Sequence, residues 1–197
     1  MTAVELRLDE GEVVTSQNRR DILILAERPE LTITWSRYAP RERGPDLHIH
    51  YEHVDAFYVL EGELTFLVGP EAEPTVVGAG GFVAVPPNVV HTFVNDGNAD
   101  AKWLNLHAPD AGFAVYLRGL YGGPGGPFDT FAPPSGGGLP AGHAIVAKPG
   151  EGVKADLPGL YVAEWADAKS PTRPPVGVAY RYTRPSTDGT RVIDIRG

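Results

Sequence analysis

The sequence predicts an all-β fold, and three observations carry that prediction. Between Leu47 and His107, strand-like segments follow one another at short intervals, each closed by a turn signal. Glycine and proline are abundant, 24 and 19 in 197 residues, as suits a chain with many turns. A single short segment, 111–121, reads as a helix.

The elements follow in order. Val4, Leu6 and Leu8 alternate with charged residues, as in a short edge strand. Ile22 to Leu25 is a compact apolar run, expected as a buried strand. After the turn at Arg28-Pro29-Glu30 comes Leu31 to Tyr38, where Ile33 and Trp35 face one side and Thr32, Thr34 and Ser36 the other. A loop runs from Tyr38 to Pro45. Strands are then expected at 47–51, 54–60, 63–68, 75–77, 82–85, 90–95 and 101–107. Their separators include Glu61-Gly62, Gly69-Pro70 and Pro86-Pro87-Asn88. Residues 59–64 read as a tight hairpin in which Gly62 supplies the unusual φ. Phe113, Tyr116, Leu117 and Leu120 fall at helical spacing. Gly119 to Gly142 is rich in glycine and proline and reads as a loop or linker, with a lid over a pocket as the other reading. Strands return at 144–147, 160–164, 176–183 and 191–195. The expected division is a barrel with N-terminal strands over 1–120, a loop over 121–143, and an extension over 144–197 that packs on the barrel or on a partner subunit.

Composition excludes several function classes. The net charge is −8 and no run of basic residues occurs, so neither nucleic acid nor an anionic membrane surface is an expected partner. There is no cysteine, which removes disulfides, thiolate nucleophiles and Cys-ligated zinc. No apolar run reaches the ~18 residues of a membrane span, and no apolar signal segment opens the chain. A cytoplasmic location is expected.

The stretch from Gly44 to Gly62 concentrates the chemistry. His48 and His50 are two apart, so on extended backbone both imidazoles point to one face, as two ligands of a metal ion do. A second stretch, Gly80 to Asn95, places His91, Phe93 and Asn95 on one face of an expected strand. Nitrogen and carboxylate donors without sulfur suit a divalent transition metal: Fe, Mn, Ni, Zn or Cu.

Together the two stretches resemble the cupin superfamily, of the single-barrel cupin-2 type. The first cupin motif is matched by Gly44, His48, His50, Asp55 and Gly62, and the second by Gly80, Pro86, Asn88, His91 and Asn95. The likeness covers about residues 30–108. It implies a jelly-roll β-barrel with a metal at its mouth, bound by His48, His50, Asp55 and His91. The sequence departs from the pattern in three places. Gly44 stands closer to His48, Asn88 replaces a glycine, and Asp55 stands where the motif has Glu. An aspartate is shorter by about one C–C bond of ~1.5 Å. Asp55 therefore binds directly, binds through water, or leaves a three-histidine site.

Other residues near the motifs carry weaker expectations. Glu52 keeps the parity of His48 and His50 and is an alternative carboxylate, although exposure is its simpler reading. His53 breaks that parity and is expected to face outward. Trp103, Asn105 and His107 share one face of the last barrel strand and are candidate pocket residues. Phe57 and Phe93 are further pocket candidates, with barrel core as the simpler reading. His143 is expected to be exposed. The resemblance implies a small-molecule ligand or substrate and a homodimer. The favoured activity is that of a metal-dependent oxidoreductase of dioxygenase type. The alternatives are a non-catalytic small-ligand binder and a metal-dependent isomerase.

Overall fold

In the computed structural model of the chain, residues 3–165, 179–186 and 189–196 are described. The early strands are β1 (Ala3–Glu5), β2 (Glu12–Gln17), β3 (Arg20–Arg28), β4 (Leu31–Tyr38) and β5 (Glu42–Arg43). The motif region gives β6 (Val54–Glu61), β7 (Glu63–Val68), β8 (Glu73–Gly78), β9 (Phe82–Val85), β10 (His91–Asn95) and β11 (Ala101–Ala108). Helix α1 (Phe113–Leu120) follows. The chain ends with β12 (Ile145–Ala147), β13 (Lys154–Leu157), β14 (Leu160–Trp165), β15 (Ala179–Ser186) and β16 (Gly189–Arg196). The strand expected at 176–183 starts outside the described residues and continues as β15.

Two sheets form the barrel. One has the order β12-β9-β6-β11-β4-β3-β2, the other β5-β10-β7-β8. Their facing sides enclose a core that includes Phe57, Leu64, Phe66, Val83, Phe93 and Trp103. A third sheet, ordered β1-β15-β16-β14-β13, draws its first strand from the N-terminus. It packs Ala155, Leu160, Val162, Ile193 and Ile195 against the outer side of the seven-stranded sheet. That covering explains β6, where seven of eight residues are buried. Val54, Ala56, Tyr58 and Leu60 face the C-terminal sheet, whereas Asp55, Phe57 and Val59 face the barrel. A strand covered on both sides reads as a continuous apolar run.

Two expected elements take a different form. The 59–64 segment is no hairpin: β6 pairs with β9 and β11, and β7 with β8 and β10. Gly62 (φ 70°) instead marks the corner where the chain leaves one sheet for the other. A Cβ there would lie 2.4 Å from the Asp100 carbonyl oxygen, so only glycine fits. Residues 47–51 make isolated bridges rather than a strand, His48 to His91 and Ile49 to Phe131. The segment crosses the barrel mouth between two different partners, so no single ladder can extend along it.

Candidate metal centre

The motif histidines reach one point from two directions. The 47–51 segment supplies His48 and His50, and the start of β10 supplies His91. Reciprocal backbone bonds join the two: His48 N–H to His91 O at 3.0 Å, and His91 N–H to His48 O at 2.8 Å. The turn before β10 holds Asn88 at φ 69°, a left-handed conformation that asparagine tolerates in place of the motif glycine. Asn95, at the far end of β10, donates to the carbonyls of Tyr38, Ala39 and Ala99, which pins the strand.

Each of these imidazoles spends Nδ1–H on a backbone carbonyl. His48 donates to Asp46 O at 2.8 Å, His91 to Val89 O at 3.1 Å, and His50 to Asp129 O. This fixes the tautomer and leaves Nε2 bare, as for metal-bound histidines whose other nitrogen is held by an oxygen. His50 Nε2 is buried without a hydrogen-bond partner among the described residues. Asp55 Oδ2 lies 3.2 Å from His91 Nε2 and 3.8 Å from His50 Nε2. Lone pairs of two imidazoles thus face one carboxylate oxygen, an arrangement that a cation relieves. Two neighbouring ligands with bonds of about 2.1 Å stand about 3 Å apart, and Asp55 Oδ2 lies near that spacing from His91 Nε2, at 3.2 Å. His48, His50, Asp55 and His91 could hold a metal ion.

Burial pushes the His48 imidazole down to about 3, with the neighbouring His91 and His50 adding to the effect, so His48 is neutral and ready to ligate. Asn105 Nδ2 donates to Asp55 Oδ1 at 2.6 Å and to Ala56 O at 3.0 Å, which fixes the carboxylate plane.

A cavity of about 180 Å³ opens beside the cluster. Its walls include Thr34, Tyr38, Phe93, Trp103, Asn105 and His107. Thr34 Oγ1 and Trp103 Nε1 are buried without hydrogen-bond partners among the described residues. At the mouth the Arg20 guanidinium lies 4.1 Å over the Tyr38 ring and is held by Glu42 at 2.8 Å.

The family model for the cupin domain matches residues 34–107. These residues form a cupin domain. Among solved structures, the chain is similar to KdgF from Halomonas sp., at 20% identity and a TM-score of 0.48, covering 55% of this chain and 94% of that one. It is also similar to an RmlC-like cupin from Shewanella frigidimarina, at 23% identity and a TM-score of 0.45, covering 52% and 87%. A third similar structure is Streptomyces PAC13 with uridine, at 22% identity and a TM-score of 0.42, covering 55% and 84%. No curated protein matches the chain.

Within the cupin domain the structure redistributes the other candidate residues. Trp103, Asn105, His107 and Phe93 line the cavity, but Phe57 does not. Its ring lies in the barrel core, 5.0 Å from Phe66 and 5.2 Å from Phe93. Glu52 is exposed and off the cavity, because a bend at 51–52 breaks the alternation that parity assumes. The same bend carries His53 inward, against the expectation that it faces out: it is 1% exposed. Its Nδ1 donates to Asp129 Oδ2 at 2.9 Å, and its Nε2 lies 2.9 Å from His107 Nδ1. His143 is exposed.

Sequence reasoning missed Asp129 and the aromatic cover. The glycine-rich stretch is bonded across the mouth: Phe131 pairs with Ile49, and Leu139 N–H donates to Asn88 O at 2.7 Å. Asp129 accepts the backbone N–H groups of Tyr51 and Glu52, and these with His53 hold its carboxyl low against the opposing effect of burial. Phe113 of α1 stacks on His107 at 3.5 Å, and Tyr116 stacks on Phe128 at 5.0 Å. Arg118 ties α1 to Glu12 and Glu27 at 2.6 and 2.7 Å. A signal was present: Asp129 is flanked by Phe128 and Phe131 in a segment otherwise nearly free of aromatic and acidic residues.

Proposed function

We propose that this chain is a metal-dependent cupin enzyme that oxidises a small organic molecule within the barrel, as a dioxygenase-like oxidoreductase. The observation that carries this reading is the convergence of bare Nε2 atoms on Asp55 beside a cavity with apolar walls. His48, His50, His91 and Asp55 would hold the ion, leaving coordination positions on the cavity side. When bound, the ion supplies Lewis-acid or redox chemistry. Asn105 orients Asp55. Trp103 Nε1–H and Thr34 Oγ1 offer hydrogen bonds to a polar group of the substrate. Phe113, Tyr116 and Phe128 exclude water from the mouth side. The cavity is smaller than the roughly 300–1,000 Å³ of drug-sized pockets, which favours a small substrate.

The test is oxygen uptake by iron- or nickel-loaded protein against a panel of small enolisable and aromatic compounds. Stoichiometric oxygen consumption with one compound is expected, and its loss in His91→Ala. Ligand affinity without turnover across the panel would instead make the protein a binder. Isomerisation without oxygen uptake would make it an isomerase.

A further inference from the structure

Behind the first group of ligands lies a second group of imidazoles. His53, His107 and His50 bring ring nitrogens within 4.8 Å of one another, and all three are buried. His53 is anchored in the same way as the motif histidines. Its Nδ1–H donates to the Asp129 carboxylate at 2.9 Å, which leaves Nε2 bare and facing inward. Next in line is His107, with Nδ1 2.9 Å from His53 Nε2. His107 Nε2 lies 3.5 Å from Asp55 Oδ1 and 3.4 Å from Asn105 Oδ1.

This line is short of positive charge. From Asp129 through His53 and His107 to Asp55 and Asn105 it has three contacts, and two neutral imidazoles bring two protons. One contact is therefore left with lone pairs opposed. Asn105 cannot relieve it by turning its amide, because Nδ2 already donates to Asp55 Oδ1 and Ala56 O. Phe113 and Phe128 pack on the same rings and keep the line dry. The 2.9 Å between His53 Nε2 and His107 Nδ1 is also the spacing of two adjacent ligands on one ion, about 3 Å for bonds of ~2.1 Å at a right angle.

We propose that His53, His107 and His50 form a second seat for a divalent transition-metal ion, adjoining the His48/His50/Asp55/His91 seat. His50 Nδ1–H is spent on the Asp129 carbonyl, so its Nε2 serves one ion at a time and the two seats compete for it. Asp55 stays with the first seat: its Oδ2 faces His91, and its Oδ1 faces His107 Nε2, the nitrogen turned away from the second seat. With up to three imidazoles and no required carboxylate, the second seat suits nitrogen-preferring ions such as Cu(II), Ni(II) and Zn(II). Competition for His50 and mutual repulsion make the second ion the weaker one. The inference rests on the reading of the first seat as a metal site, but it does not need catalysis.

Zinc uptake by the full chain tests it. The wild type is expected to reach two equivalents in two steps. In His53→Asn/His107→Phe, the weaker step disappears and the tighter one persists. His48→Ala/His91→Ala, checked for folding by its melting transition, should keep one ion. With copper in its place, pulsed electron paramagnetic resonance should count three imidazole nitrogens. Saturation of the wild type at one equivalent overturns the second seat alone. A folded His48→Ala/His91→Ala protein that retains no ion does the same. A wild type that takes up no metal defeats both this inference and the reading under Proposed function.

Discussion

The two faces of the seven-stranded sheet have the same strands and opposite chemistry. Along β4, β6 and β11 the outer face carries Ile33, Ala56, Tyr58, Leu104 and Leu106, sealed beneath the C-terminal sheet. The inner face at the barrel mouth carries Thr34, Ser36, Asp55, Asn105 and His107. In an ordinary half-exposed sheet the apolar side is the interior and the polar side is solvated. Here both sides are interior. Apolar residues mark the side that a neighbouring sheet covers, and buried polar residues mark the side kept for chemistry. Thr34 Oγ1 and Trp103 Nε1, buried without partners among the described residues, cost stability that a ligand can return.

The largest effect should come from opposite changes on adjacent residues of paired strands. Leu106 is fully buried on the outer face, opposite Ile33. Leu106→Ala should cost about 2–5 kcal/mol in unfolding free energy, by lost burial and a residual cavity. Metal affinity should not change. Thr34→Val on the inner face should leave stability equal or raise it by up to about 1 kcal/mol, because it removes an unsatisfied hydroxyl. It should weaken binding of the small molecule. Denaturant titration with parallel metal and ligand titrations checks both. Loss of stability in Thr34→Val comparable to that of Leu106→Ala would erase the distinction between the faces.

What could be read from the sequence follows the same division. Alternation placed Ile33 apart from Thr34, because it depends on local geometry, whereas the joining of His91 to His48 and His50 came from the resemblance to cupins. Where contacts are distant and no motif marks them, the reading failed. His53 was assigned by parity, and parity stops at a two-residue bend that sequence does not announce. Residues 59–64 looked like a hairpin, but the partners of β6 and β7 are chosen by sheets that close over long separations. Asp129, 76 residues from His53 in the chain, joins the site only because the glycine-rich segment is bonded across the mouth. Its backbone carbonyl holds His50 and its carboxylate holds His53, so one residue of an apparent linker sets two tautomers.

Acid should separate the faces next, since only the inner one titrates. The His53 imidazole is pushed down to about 4 by burial, with His50 adding, and His48 down to about 3. Above pH ~6.5 folded and unfolded chains are both neutral at these positions. As pH falls below that value, the unfolded chain takes up protons that the folded chain refuses. The stability contribution is therefore full above the unfolded pKa and is lost toward the folded one. For His53 the expected slope is up to about 1.4 kcal/mol per pH unit between roughly 6.5 and 4. Urea melts of metal-free protein at pH 7.5, 6 and 5 should show it, and His53→Asn should flatten it. Bound metal should flatten it too, because a ligated nitrogen cannot accept the proton. A metal-free protein equally stable at pH 7.5 and 5 would show that these imidazoles are not held neutral by the fold.

The smallest expected effect lies at the turn that assigns residues to faces. Asn88 is exposed, with φ 69°, between β9 and β10. Its N–H donates to His50 O, and its carbonyl accepts from Leu139, both at 2.7 Å. The turn thus couples one metal-facing histidine, the strap across the mouth and the register that delivers His91. Because its side chain is exposed, substitution isolates the backbone term. Asn88→Gly should change stability by only a few tenths of a kcal/mol, since glycine adopts this φ freely. Asn88→Ala should cost about 1 kcal/mol, because alanine keeps the Cβ but loses the polar side chain that makes the left-handed region tolerable to asparagine. Metal affinity should follow the same order, unchanged in the glycine variant and weakened in the alanine variant only as far as the turn relaxes. Thermal melts paired with zinc titrations resolve differences of this size. An alanine variant as stable as wild type would mean that the turn can leave φ 69° without moving His50 or His91, and that the face assignment of β10 is set elsewhere.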